Sequence, residues 1–317
     1  IDGIRRYSQA TVLFFNFAPP AYLSAGLADA GLETSQMSAV QRANCRISQV
    51  CRAFGGVFVF DYYRMVQETG QHRWLDPKLW YLGRIPMGTE AQIQTGQRLS
   101  RYIRASRYPS SKCLVVDLDN TLWGGVLGEE GVGGISIGEE YPGNVYKAFQ
   151  RHLVSLRDRG VLLAIASKNN ETDVVEAFEN HSDFVLKLED FAAHQIHWHD
   201  KASSLKSIAE DLNIGTDSLA FFDDSPVERE WVRSQLPEVT VIDVPDDPTR
   251  YADALEESGA FDVLTLTRED RHRPEMYWQE SQRKQLRHEN ISPEEFLRQL
   301  EITATIGFLN TETLPRA

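Results

Sequence analysis

The chain has 317 residues, 42% of them hydrophobic and 25% charged, proportions of a globular protein with room for two cores rather than a disordered one. Its net charge of −13 excludes the broadly basic face that nucleic acid or an anionic membrane would need as a partner. The three cysteines, Cys45, Cys51 and Cys113, form neither a disulfide framework nor a metal-ligand spacing, which suits a cytoplasmic protein, and no apolar run reaches membrane length.

In chain order, the first region reads as a strand at 10–17, a helix at 38–54, a strand at 57–62 and a helix at 89–106, with Pro and Gly between them. This is part of an α/β layer, and it sets a first domain at 1–110. Arg101, Arg104 and Arg107 recur at helical spacing, either as a local basic patch or as a solvated face.

The next strand, ending at Val116, is apolar and β-branched, as expected of a buried parallel strand whose carboxyl end opens on a ligand crevice. It delivers Asp117, Asp119 and Thr121. Alternation puts Asp117 and Asp119 on one side of the chain, and two acids held together there call for a cation such as Mg2+, a hard ion that shares oxygen ligands with phosphate. Asp117 is suited to attack phosphorus, and Asp119 to protonate the leaving oxygen and later deprotonate water. Acids also crowd strand ends simply to be solvated, so the partners downstream matter.

A second buried strand at 161–166 ends in Ser167, Lys168 and Asn169, donors placed where a phosphate would lie; Asn169 or Asn170 also reads as the N-cap of a helix at 171–180. Lys201 opens an amphipathic segment at 202–212, and at a helix start its ammonium joins free N–H groups as an anion site. A third buried strand at 218–222 terminates in Asp223 and Asp224, further ligands for the cation. His194, His197 and His199 lack the fourth ligand of a zinc site and read as part of the loop that aims Lys201. Beyond Val244 the composition turns polar, with helical patterns at 251–258 and 273–289, a capping box from Ser292 to Glu295 and a strand near 302–308. The boundaries are therefore a catalytic domain at 111–270 and a helical extension with a linker at 271–317.

Asp/Asp/Thr, Ser, Lys and Asp/Asp at successive strand ends resemble the haloacid dehalogenase (HAD) superfamily. The runs at 112–126, 166–170 and 222–229 resemble, more narrowly, the FkbH-like proteins of polyketide pathways. The resemblance implies an α/β, three-layer Rossmann-like HAD core with a mainly parallel sheet, preceded by a partial SGNH-like α/β domain. That first domain lacks the Asp-x-x-His pair of SGNH hydrolases, since Asp61 and Asp76 have no such histidine, and it is expected to be non-catalytic. The segments between motifs are too short for a large cap, leaving an open crevice.

The resemblance also assigns roles. Asp117 is the nucleophile and Asp119 the acid/base; Mg2+ is held by Asp117, the Asp119 main-chain carbonyl and one acid of the Asp223/Asp224 pair. Ser167 and Lys201 would bind the phosphoryl group; Thr121, Lys168 and Asn169, read from their places at the strand ends, are further candidate substrate contacts. The implied reaction dephosphorylates 1,3-bisphosphoglycerate and passes the glyceryl unit to the phosphopantetheine thiol of an acyl carrier protein. Two routes stand open: Cys113 carries the acyl group as an intermediate thioester, or the carrier thiol attacks the acyl phosphate directly while Cys113 is a packed core residue with an inert thiol. The chain, without an initiator Met, is expected to belong to a larger polyketide synthase polypeptide. Two further readings remain, a plain HAD phosphatase and a carrier-protein docking module with vestigial catalysis.

Overall fold

The computed structural model describes residues 1–277. The expected helix at 273–289 is described as far as 277, within a helical segment that begins at 268; the capping box at Ser292 and the strand near 302–308 lie outside the described residues. The described residues divide into two compact units, one formed by 1–110 with 262–265 and the other by 111–261 with 266–277.

In the first unit, β1 (Val12–Phe15) and β2 (Val57–Phe60) pair in parallel, Val12 opposite Val57 and Phe15 opposite Phe60. Both strands are shorter than expected because polar residues at their ends turn into the following loops. Asn16 Nδ2 donates to Asp61 Oδ1 at 2.7 Å, and Asn16 Oδ1 accepts from the Tyr63 amide at 2.8 Å. Helix α1 (Gln36–Arg52) is capped by Ser35, whose hydroxyl accepts from the Ser38 amide. Two helices absent from the sequence reading, Tyr62–Thr69 and Pro77–Gly83, start at capping aspartates, Asp61 and Asp76. Helix α2 (Thr89–Arg107) follows, and a small core gathers Phe60, Met65, Val66, Trp74 and Ala91. Arg101 of α2 makes a two-pronged bond to Asp262, both contacts at 2.7 Å.

Among the described residues, the second unit is built on five parallel strands: β3 (Cys113–Val116), β4 (Leu162–Ser167), β5 (Ala193–Ile196), β6 (Leu219–Phe222) and β7 (Thr240–Val241), in spatial order β5-β4-β3-β6-β7. Strands β3, β4 and β6 are buried throughout, as their unbroken apolar runs require for a sheet covered on both faces. Alternate residues feed two cores. Leu114, Val116, Leu163 and Ile165 pack with α3 (Gly143–Asp158), α4 (Glu171–Asn180) and α7 (Tyr251–Ser258). Cys113, Val115, Leu162 and Ala164 pack with α5 (Lys201–Asp211) and α6 (Pro226–Gln235). The result is a three-layer α/β unit.

The connections position the site. From β3 the chain moves outward through β4 to β5, then returns to β6 on the other side of β3, so consecutive helices change face between β3 and β6. That is the switch point of an open parallel sheet, and the crevice forms beyond the carboxyl ends of these strands. Residues 122–142 contribute a loop with one short helix, Leu127–Glu130, rather than a cap domain. Among the described residues, no helix is long and apolar enough to cross a membrane.

Candidate active site

Asp117 is the first residue past β3, and its amide donates to the Phe222 carbonyl at 3.0 Å, tying the ends of β3 and β6 together. Asp223 and Asp224 leave β6 at the same level. One carboxylate oxygen from each of Asp117, Asp223 and Asp224 lies within 4.8 Å of the others. The last pair is held by Arg229, whose Nη1 donates to the carbonyls of Asp223 and Asp224 at 2.7 and 2.8 Å. Ser225 caps α6 and Pro226 takes its first position, a start that fixes φ where an amide hydrogen would have no partner.

Lys201 reaches the cluster from the first turn of α5, which Asp200 caps by accepting from the Ser203 amide at 3.0 Å. Its Nζ donates to Asp117 Oδ1 at 2.6 Å and to the Ala166 carbonyl at 2.5 Å, and stands 3.1 Å from Asp223 Oδ2. Its side chain is only 3% exposed. Burial works to discharge the ammonium, but the charges of Asp117 and Asp223 prevail and hold its pKa above the ordinary lysine value. Asp223 is pushed up to about 7, first by burial and then by the Asp117 charge, with Lys201 opposing. Asp224 is pushed up to about 6 by the same two causes.

These three acids fit a divalent cation. Asp223 Oδ2 is buried in ionic contact with Lys201 yet has no hydrogen bond, so it keeps acceptor capacity that a cation would use. The donors are all carboxylate oxygens, the set that a hard ion such as Mg2+ prefers. Among the described residues this is where such a group gathers, while His194 pairs with Glu171 at 3.5 Å and the His197 and His199 rings face each other at 4.5 Å.

Asp119 is set apart from the three. Its Oδ1 accepts from Trp123 Nε1 at 2.9 Å and from the Leu127 amide at 3.1 Å, and its Oδ2 accepts from Asn169 Nδ2 at 3.0 Å. Its carboxylate is therefore not one of the clustered oxygens, in keeping with a sequence reading that gives the metal the Asp119 main-chain carbonyl and the side chain the acid/base role. Burial raises its pKa, against these three donors and with the Asp117 charge in support. The loop geometry that brings Trp123 back depends on Asn120 at φ +53°, whose amide donates to the Gly125 carbonyl while its Oδ1 accepts from the Gly125 amide. Gly125 sits at φ +93°, where a Cβ would lie 2.5 Å from Glu130.

The other expected residues divide. Ser167 is buried at the end of β4 and accepts from Asn169 Nδ2 at 3.2 Å, so Asn169 bridges Ser167 and Asp119. Asn170, not Asn169, is the N-cap position of α4. Thr121 is buried, and its hydroxyl has no hydrogen-bond partner among the described residues. Lys168 turns to Glu228 at 2.6 Å. Cys113 is not brought to the acids: it starts β3, roughly 13 Å of strand from Asp117, and is fully buried against α5 and α6. Burial drives its thiol pKa far up, away from the thiolate that acyl transfer needs. Of the two readings of Cys113, burial favours the packed core residue with an inert thiol.

Trp123 is the partner of Asp119 that the sequence reading does not name. It is wholly buried, edge-on to Phe178 and Phe184. A signal existed, since a buried indole needs an acceptor for its N–H. Chemistry rather than volume identifies the site, for a cavity of about 620 Å3 lies in the first unit along β2, lined by Cys51, Arg52, Arg98 and Tyr102.

A parallel α/β sheet with these acids, a serine and a buried lysine at successive strand ends defines a Rossmann-like fold of the HAD type. The chain is similar to the N-terminal part of the protein BF1531 from Bacteroides fragilis, which contains a phosphatase domain and was solved in complex with Mg; the two share 30% identity with a TM-score of 0.75 over 83% of this chain and 71% of that one. The chain belongs to the family of that phosphatase-domain protein. No family model and no curated protein matches it.

Proposed function

We propose that the chain is a Mg2+-dependent HAD-type phosphatase working through an aspartyl-phosphate, and that its substrate is 1,3-bisphosphoglycerate, whose glyceryl unit it loads onto an acyl carrier protein. The observation that carries the phosphatase reading is the meeting of Asp117, Asp223 and Asp224 around Lys201 at the switch point. The finer substrate reading rests on the motif resemblance to FkbH-like proteins.

Asp117, Asp223 and Asp224 would hold Mg2+, which supplies neutralisation of the phosphoryl oxygens. Lys201 orients the Asp117 carboxylate through Oδ1, leaving its other oxygen to attack phosphorus. As that bond forms, the ester P–O bond breaks and the leaving oxygen takes a proton from Asp119, whose burial favours the protonated form needed for this role. In the second half, Asp119 takes a proton from water as the water oxygen attacks phosphorus and frees Asp117. The Trp123, Leu127 and Asn169 donors keep the Asp119 carboxyl in one orientation for both transfers.

Acyl transfer follows the direct route in this reading: the carrier thiolate attacks C1 of the acyl phosphate, a thioester forms and phosphate leaves. The first unit, 1–110, serves as a non-catalytic docking domain, with the whole belonging to a larger polyketide synthase polypeptide.

The test incubates the protein with Mg2+, 1,3-bisphosphoglycerate and a phosphopantetheinylated carrier and weighs the carrier intact. A glyceryl adduct dependent on the protein supports transfer. Phosphate release with an unmodified carrier leaves the phosphatase alone, and absence of both overturns the enzymatic reading.

A further inference from the structure

Two lysines stand at this end of the sheet, Lys168 directly after β4 and Lys201 in the first turn of α5, and they are held in different ways. Lys201 lies in the floor with three oxygen contacts, to Asp117, Asp223 and the Ala166 carbonyl. Lys168, directly after β4, has one side-chain partner among the described residues, Glu228, at 2.6 Å. Glu228 belongs to the first turn of α6, beyond β6, where its amide donates to the capping Ser225 hydroxyl.

Strand order makes this pair more than a surface salt bridge. β4 and β6 flank β3, so a bond from the end of one to the helix after the other crosses the carboxyl end of β3, where Asp117 emerges. The backbone on each side is fixed, Lys168 by the β4 ladder and Glu228 by α6, while the two side-chain ends are partly exposed, 38% and 19%. A pair anchored at both ends and joined by a single contact can open without moving the fold.

Charge gives the opening a direction. Asp117, Asp119, Asp223 and Asp224 crowd the floor, so a substrate bringing a second negative group meets repulsion unless a further cation receives it. Arg229 turns Nη1 to two backbone carbonyls and buries its Nε, and Lys201 is committed to the acids. Lys168 can exchange one anion for another and keep a partner, while the released Glu228 carboxylate, partly exposed, is left to solvent. We propose that Lys168–Glu228 is a displaceable strap across Asp117, and that Lys168, released from Glu228, selects phosphorylated substrates bearing a second anionic group. The proposal rests on the phosphatase reading for the first phosphoryl position, but not on any particular substrate.

The test compares wild type, Lys168→Met and Glu228→Gln. The ratio of kcat/KM for phosphoglycolate (a second carboxylate) and for 1,3-propanediol bisphosphate (a second phosphate) to that for p-nitrophenyl phosphate is expected to fall about tenfold in Lys168→Met, the scale of one lost charged hydrogen bond. In Glu228→Gln it should rise, because the competing carboxylate is gone. A fall for one of these two substrates only would assign the strap to carboxylate or to phosphate. Equal ratios in all three proteins overturn it. Calorimetric titration separates this from a failure of the phosphatase reading, using phosphonoacetate against methylphosphonate, neither of which has a scissile ester. If wild type hydrolyses nothing yet prefers phosphonoacetate, and Lys168→Met loses that preference, the strap stands and the phosphatase falls; a preference that survives Lys168→Met, or is absent in wild type, sinks the strap.

Discussion

Asp61 ends β2 in the first unit and Asp117 ends β3 in the second, each directly after a parallel strand, and their surroundings diverge within one residue. Asp61 is exposed and spent on local structure, accepting from Asn16 Nδ2 at 2.7 Å and from the Arg64 amide at 3.2 Å. Asp117 is half-buried, faces two more carboxylates and is met by a buried lysine from 84 residues downstream. The strands differ in the same sense. β1 and β2 form a two-stranded sheet that leaves Phe14 and Phe15 more than two-fifths exposed, whereas β3, β4 and β6 are buried throughout. An acid at a strand end becomes a reagent when several strand ends converge and their charges are short of partners; a cap or turn uses the same residue up.

The largest expected effect separates these two aspartates directly. Asp117→Asn should lower phosphate release by about 10^3-fold or more, since an amide cannot serve as nucleophile, with an unchanged circular dichroism spectrum. Asp61→Asn should leave turnover within a factor of about two and touch stability by less than about 1 kcal/mol, as cap exchanges do. Equal loss in both would mean that the first unit takes part in the chemistry.

Next comes Lys201→Met. Removing one member of a buried charge group leaves the others uncompensated, which costs about 3–5 kcal/mol. Urea denaturation in the absence of metal should register the loss, and added Mg2+ should recover part of it by taking the place of the ammonium among Asp117, Asp223 and Asp224. An exposed pair of the first unit, Arg64–Glu68, gives the contrast: Arg64→Met should cost no more than about 0.5 kcal/mol.

Much of this was visible in the chain before any coordinates. Strands β3, β4 and β6 are apolar runs bounded by chemistry-bearing residues, and helices 171–180 and 251–258 fall where the pattern puts them. What escaped follows from distance along the chain and from local backbone. The Lys168–Glu228 contact depends on strand order, which no periodicity encodes. Trp123 returns to Asp119 through a left-handed Asn120, a conformation that a string of polar and glycine residues permits without specifying. The helices Tyr62–Thr69 and Pro77–Gly83 were legible in principle, because Asp76-Pro77 is an N-cap followed by proline at the first helical position. They are short, and their apolar spacing is too brief to register as a period. Cys113 shows the converse: burial predicted from its apolar strand is what the structure has, and it removes the thiol from the crevice.

A smaller effect bears on Asp119. Trp123→Phe keeps the ring packed against Phe178 and Phe184 but deletes one of three donors to the carboxylate. A charged hydrogen bond of about 1.5–3 kcal/mol sets the scale, and kcat should fall about tenfold with KM little changed. A rise in KM at constant kcat would place Trp123 in binding rather than in holding the acid.

The finest comparison sets one helix cap against another. Asp61 caps the helix after β2, and Asp200 caps α5, accepting from the Ser203 amide, the Ser203 hydroxyl and Trp231 Nε1. Those donors, led by the Ser203 and Trp231 side chains, hold the Asp200 carboxyl down at about 2. A folded pKa below the unfolded value of about 3.9 contributes stability that is complete above pH 4 and is lost as pH falls from about 4 through 2. Asp200→Ala should therefore cost about 1 kcal/mol at neutral pH and flatten the acid limb of stability in that window, read by urea melts at a series of pH values. Asp200 is only partly buried, so solvent screening keeps the effect from growing beyond a cap. Because the next residue is Lys201, the same substitution should loosen the first turn of α5 and lower kcat several-fold, while Asp61→Ala costs similar stability with no change in kcat. If both caps leave kcat untouched, Lys201 is aimed by its contacts with Asp117 and Ala166 alone, and the start of α5 contributes stability without orienting the site.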